Sequence, residues 1–178
     1  DTEKPYAGTT TNNGTSWSWT LVRDAAIDSA SIDYADHSGG LTIYLPNDDA
    51  IGDAVTMSKS TNGGSSWVGT ATGFSGLVRD SLCPYGGNGN DNIVYVVTRE
   101  IEGVGSNLVI KTSDGGATWS DITPPGFTAS PGNVIGGFAG YIIGDATTIY
   151  VCSSGASSSS LWKSTNGGTN WVQINNGL

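Results

Sequence analysis

Three short apolar runs recur along the chain with a tyrosine near the middle of each: Leu41-Thr42-Ile43-Tyr44-Leu45, Ile93-Val94-Tyr95-Val96-Val97 and Thr148-Ile149-Tyr150-Val151-Cys152. Runs this short, rich in β-branched and aromatic residues and bounded by Gly, Asp and Asn, predict strands. Shorter segments near Ser31 to Tyr34, Leu82 to Tyr85 and Gly140 to Ile143 predict a preceding strand in each case, with turns such as Asp36-His37-Ser38-Gly39-Gly40 between the two. The pattern between turns is too short for long amphipathic helices.

Downstream of each run stands a second repeated phrase. Ser60-Thr61-Asn62-Gly63-Gly64-Ser65-Ser66-Trp67 recurs as Thr112-Ser113-Asp114-Gly115-Gly116-Ala117-Thr118-Trp119 and as Ser164-Thr165-Asn166-Gly167-Gly168-Thr169-Asn170-Trp171. Lys59, Lys111 and Lys163 precede the three copies, and a fourth, more divergent copy is Thr10-Thr11-Asn12-Asn13-Gly14-Thr15-Ser16-Trp17. The tryptophans are separated by 50, 52 and 52 residues, a period that marks a repeat architecture. In each copy the Asn or Asp side chain is suited to cap its own turn, Gly accepts positive φ, and Trp carries a large apolar surface to bury. A third strand is expected to run into the turn and a fourth to leave from its Trp.

These phrases resemble the Asp-box, the S/T-x-D/N-x-G-x-x-W/F turn of sialidases, xyloglucanase-type glycoside hydrolases, sortilin-like receptors and photosystem II assembly factors. The resemblance covers all four copies, through Asn12, Gly14 and Trp17; Asn62, Gly64 and Trp67; Asp114, Gly116 and Trp119; and Asn166, Gly168 and Trp171. It implies an all-β, propeller-like array of four-stranded antiparallel blades. It also implies that the turn joins the third and fourth strands of a blade, away from the ligand face, so these residues are structural and the catalytic ones stay unknown. The expected division of this single repeat domain is a half blade over 1–22 and blades over about 23–72, 73–124 and 125–178. Each of the tryptophans in the turns is expected to be buried.

Tyr6 lies only 11 residues before Trp17, so the first copy has no room for a first and second strand. Three and a half blades are fewer than the four to eight that close a propeller. The expectation is a piece of a longer propeller, or copies of this chain that complete one another as a closed ring or an extended array.

Composition narrows the function classes. The chain has 178 residues, 37% of them apolar and 13% charged, with a formal net charge of −9. Its few Lys and Arg are scattered, which excludes the electrostatic footprint of a nucleic-acid binder. No window approaches a membrane span. The start at Asp1 and the Ser/Thr/Asn/Gly-rich composition suit a matured, extracellular or cell-surface product. Cys83 and Cys152 allow one disulfide, with buried strand thiols as the alternative, and offer no metal spacing.

Candidate chemistry is sparse. Arg23, Arg79 and Arg99 are the only arginines, and the first two share the phrase Leu-Val-Arg-Asp, at 21–24 and 77–80. That repetition reads as an ion pair within or between blades rather than as a carboxylate-binding arginine cluster, and the Phe-Arg-Ile-Pro signature of sialidases is absent. Asp24, Asp28, Asp33 and Asp80 fall where strands begin, but no two are distinguished as the carboxylate pair a glycosidase needs. The segment Gly86-Gly87-Asn88-Gly89-Asn90-Asp91-Asn92-Ile93-Val94 fits a calcium-binding nonapeptide once, and such sites need stacked copies; a plain turn is expected, as for Asp48, Asp49 and Asp53. His37 reads as a surface turn residue, and Asn13-Gly14-Thr15 as a sequon that matters only in a glycosylating pathway. Trp19 and Trp162 are expected to serve blade packing, and would offer sugar-stacking surfaces if exposed. No cofactor is expected. The expected role is a binding or self-assembling module, with glycans as a possible ligand class, and the alternative is a fragment of a glycan-cleaving propeller.

Overall fold

The structure is a computed structural model, and it describes residues 6–9, 14–21, 42–47, 54–75, 77–85, 92–99, 108–127, 142–144, 147–153 and 160–175. Every regular element among the described residues is a strand: β1 (Tyr6–Thr9), β2 (Ser18–Leu21), β3 (Ile43–Asn47), β4 (Ala54–Ser60), β5 (Val68–Ser75), β6 (Leu77–Tyr85), β7 (Ile93–Arg99), β8 (Val109–Thr112), β9 (Ser120–Asp121), β10 (Ile142–Gly144), β11 (Ile149–Ser153), β12 (Ser160–Ser164) and β13 (Val172–Gln173). They form four antiparallel meanders, β1-β2, β3-β4-β5, β6-β7-β8-β9 and β10-β11-β12-β13. No described helix is long and apolar enough to cross a membrane.

Strand order follows chain order in every sheet, because each connection is a hairpin. The eight-residue turns form the last hairpin of each sheet, β4 to β5, β8 to β9 and β12 to β13, and the first copy sits between β1 and β2. β6 has β3 on one side and β10 on the other, so successive sheets stand side by side like blades. The expected first strand near Ser31 to Tyr34 lies outside the described residues. Two of the departures from the expected strand bounds have a local cause. β3 starts later and continues through Pro46, which faces Met57 of β4; Pro lacks an N–H, and among the described residues β3 pairs on that one side only. β6 begins at Leu77 rather than Leu82, with an irregular register between Leu77 and Ser81.

The core lies between blades. β7 alternates with the strand period of two: Val94 and Val96 join Tyr44, Met57 and Ile110 in one cluster, while Tyr95 and Val97 join Val109, Ile149, Val151, Trp162 and Phe127 in another. Burial on both faces is why the run Ile93 to Val97 is continuously apolar.

Candidate functional site

The three complete turns have one hydrogen-bond plan. In each, the first hydroxyl is buried, at the end of the third strand, and accepts from the backbone amide four residues on: Gly64 N to Ser60 Oγ at 2.9 Å, Gly116 N to Thr112 Oγ1 at 2.8 Å and Gly168 N to Ser164 Oγ at 2.9 Å. That hydroxyl donates to Asn62 Oδ1, Asp114 Oδ1 or Asn166 Oδ1 at 3.0, 2.8 and 3.0 Å. The same oxygen then accepts from the amide of Ser66, Thr118 or Asn170, at 2.9 Å in each copy. A short polar side chain is thus locked from both sides, which is why only Asn or Asp stands at this position. Gly116 and Gly168 both have a φ of 91°, a conformation that disfavours any side chain. Asn12 lies outside the described residues; Gly14 has a φ of 84°.

Asp114 is the one titratable group in these three turns. The Thr118 hydroxyl, the Thr118 amide and the Thr112 hydroxyl all bond its ionised form and hold its carboxyl down at about 2, against an ordinary 3.8, with slight desolvation opposing them. Because the folded value is depressed, the stabilisation is complete above pH 3.8 and is lost as pH falls toward about 2. Asp114→Asn should therefore keep the turn, as Asn62 and Asn166 do in theirs, but lower the melting temperature slightly at pH 7, where the ionised carboxylate contributes. It should also flatten the decline in melting temperature of the parent between about pH 4 and pH 2.

The tryptophans depart from the expectation of burial. Trp67, Trp119 and Trp171 are half-buried, and Trp17 is 52% exposed. Each lies just past its turn, immediately before the last strand of its sheet. Trp171 Nε1 donates to Ile122 O of the preceding blade at 2.7 Å, and Trp67 Nε1 donates to Gly64 O at 3.1 Å. Trp119 packs on the cluster of Tyr44 and Met57. Of the other two indoles, Trp162 is buried in a blade interface, whereas Trp19 is 67% exposed and stacks on Trp17 with ring centroids 6.1 Å apart. The packing expectation thus fails for Trp19, which has no neighbouring blade over it among the described residues.

The lysine ahead of each turn supplies a joint that sequence reasoning did not assemble. Lys59 Nζ donates to Gly115 O at 3.0 Å and Lys111 Nζ to Gly167 O at 3.2 Å, each reaching the next blade's turn 56 residues along. Behind each ammonium lies the tyrosine directly opposite on the second strand. The Tyr44, Tyr95 and Tyr150 rings are 5.2, 5.4 and 5.4 Å from the Nζ of Lys59, Lys111 and Lys163. The ring holds the cation by its π face and the next turn's carbonyl caps it. Burial in this seat pushes Lys111 below its ordinary pKa. The sequence signal was present in the recurring Tyr and Lys, but their pairing depends on strand register.

The remaining candidates fall on residues or side chains that the structure does not describe. His37, Arg23, Asp24, Asp28, Asp33, Asp48, Asp49, Asp53 and the segment 86–91 lie outside the described residues, as do the side chains of Arg79, Asp80, Cys83 and Arg99. The ion-pair, carboxylate and disulfide expectations lie there with them. Asn92 is described: its carbonyl accepts from Gly115 N at 2.9 Å, as Thr147 O accepts from Gly167 N at 2.8 Å. Among the described residues no group of three or more His, Cys, Asp or Glu side chains is placed to hold a metal ion.

No protein-family model and no curated protein matches the chain. A solved structure similar to it is the GH74 xyloglucanase from Xanthomonas campestris, with a TM-score of 0.57 at 15% identity over 77% of this chain and 22% of that one. The chain therefore spans well under a third of that enzyme's length. The likeness, with the sheets described above, makes this an all-β, propeller-like array of antiparallel blades.

Proposed function

We propose that the chain is an Asp-box propeller module, secreted or displayed at a cell surface, that acts by binding or self-assembly. In this reading the repeat turns are rigid fasteners, and the half blade and three blades expected from the repeat, with bounds near 22, 72 and 124, are the units they fasten. One observation carries the reading: the blade-to-blade joint is built twice from the same parts, Lys59 on Gly115 and Lys111 on Gly167, and the parts recur in Lys163 and Tyr150. A surface that already serves as a standardised joint is suited to receive a further blade. Light scattering of the 178-residue chain over a hundredfold concentration range should give a mass that rises above 18.2 kDa. A constant 18.2 kDa mass would refute the assembly reading.

A second reading is a fragment of a glycan-cleaving propeller. It is favoured by the likeness to a xyloglucanase and by the exposed Trp17 and Trp19 rings, whose faces suit the apolar side of a pyranose. Quenching of tryptophan fluorescence by xyloglucan oligosaccharides, with release of reducing ends, would support it. Neither effect is expected if assembly is the function.

A further inference from the structure

We infer that the Tyr150 and Lys163 face of one copy seats the Trp17 face of a second copy, head to tail, by repeating the joint already present inside the chain; this rests on the assembly reading above. The inference comes from comparing equivalent positions. In the blade of β6 to β9, Tyr95, Val97 and Val109 are at most 1% exposed beneath the next blade. Their counterparts in the blade of β10 to β13 are Tyr150, Cys152 and Leu161, and all three are only half-buried. Lys163 holds the same place over Tyr150 that Lys111 holds over Tyr95. Ile174 stands where Ile122 stands, and its amide donates to Leu161 O at 2.8 Å as that of Ile122 does to Val109 O. One whole receiving surface is thus assembled: an apolar strip, a ring-held ammonium and a backbone acceptor at the strip's end.

Part of the inserting surface is described as well, from Gly14 to Leu21. In the internal joint the parts contributed by the incoming blade are the turn that receives the lysine, its second glycine, and the Trp whose Nε1 donates to Ile122 O. Gly168 lies so close to the Ile122 side chain that a Cβ there would meet its Cβ at 3.0 Å. Trp17 and Gly14 are the corresponding pair in the first turn, with Gly14 in the same positive-φ conformation. Trp17 is exposed where its counterparts are half-buried. Seated on a second copy, Trp17 Nε1 donates to Ile174 O and Gly14 lies over the Ile174 side chain, next to the Lys163 ammonium. The two surfaces are different patches, so the contact is heterologous and propagates or closes according to its rotation.

A heterologous joint is tested by complementation. Trp17→Ala disables the inserting face, and Lys163→Glu, or Ile174→Arg as a second choice, disables the receiving face; all are read at matched concentration with circular dichroism as the folding control. Each variant alone should associate roughly 10- to 100-fold more weakly than the parent, as loss of a central aromatic or charge-assisted contact does. A one-to-one mixture of Trp17→Ala with Lys163→Glu should recover a particle of about twice the 18.2 kDa chain mass, because one working face remains on each partner. Parent that associates while both single variants associate equally well overturns the joint and leaves assembly standing. Parent that stays at 18.2 kDa overturns both. A mixture that fails to pair, or Trp17→Ala that loses xyloglucan binding without losing association, assigns these surfaces to something other than head-to-tail contact.

Discussion

Gly168→Ala should destabilise the chain by about 2 to 5 kcal/mol, measured as a fall in the urea midpoint at an unchanged slope. Two costs combine. Gly168 has a φ of 91°, where an L-residue is disfavoured by about 1–2 kcal/mol. Its added Cβ also meets the side chain of Ile122 in the neighbouring blade, with Ile122 Cγ1 at 3.2 Å and Cδ1 closer still, and overpacking of this kind costs about 1–3 kcal/mol. Gly14→Ala is the internal control. Gly14 has a φ of 84° and, among the described residues of its own chain, meets the Trp17 ring at 3.9 Å, so in the unassociated chain, at low concentration, it carries the backbone cost without the interblade clash. The difference between the two variants isolates what close approach of the blades contributes.

Thr112→Val should cost about 2 to 4 kcal/mol even though the side chain keeps its shape. Thr112 is 1% exposed, and its Oγ1 accepts from Gly116 N at 2.8 Å and from Asp114 N at 3.3 Å. Valine leaves the buried Gly116 amide unpaired, at about 1–3 kcal/mol, and removes the hydroxyl that steadies Asp114. Thr112→Ser keeps the oxygen, as Ser60 and Ser164 do in their own turns, and should stay within about 1 kcal/mol of the parent by thermal melting. A valine variant as stable as the serine variant would show that the hydroxyl is not the fastener.

Much of the architecture was legible because it repeats. The Trp17, Trp67, Trp119 and Trp171 spacing located the turns, and the Tyr-centred runs located β7 and β11 within a residue or two. β3 was misplaced because Pro46 and Asn47 are local strand breakers, and only pairing with Met57 and Thr56 keeps them extended. Trp burial was misjudged for a related reason: composition says that a Trp will be covered, but the amount depends on the neighbouring blade, which differs for Trp17 and Trp171. The recurring Tyr and Lys marked the joint in sequence, but its geometry was not legible because the third partner is a backbone carbonyl. Gly115 and Gly167 announce a turn, and nothing in their side chains announces a lysine from 56 residues earlier. A catalytic site was not legible either, since sixteen acidic residues offer many coincidental pairs, and the structure does not describe the side chains of the strand-start carboxylates.

The central claim is that the glycine-rich turns are buried fasteners of the blade array rather than surface loops, and backbone hydrogen exchange tests it directly. Exposed Gly-Gly turns exchange at nearly unprotected rates, whereas amides held inside the cooperative structure exchange only when it opens. The Gly64, Gly116 and Gly168 amides, each bonded to a buried hydroxyl at 2.8 to 2.9 Å, should be protected to the same degree as the core of β7. Gly115 N, bonded to Asn92 O, should be protected with them. Exchange of these four amides at loop rates, in a chain whose Val94 to Val97 amides remain protected, would contradict the account.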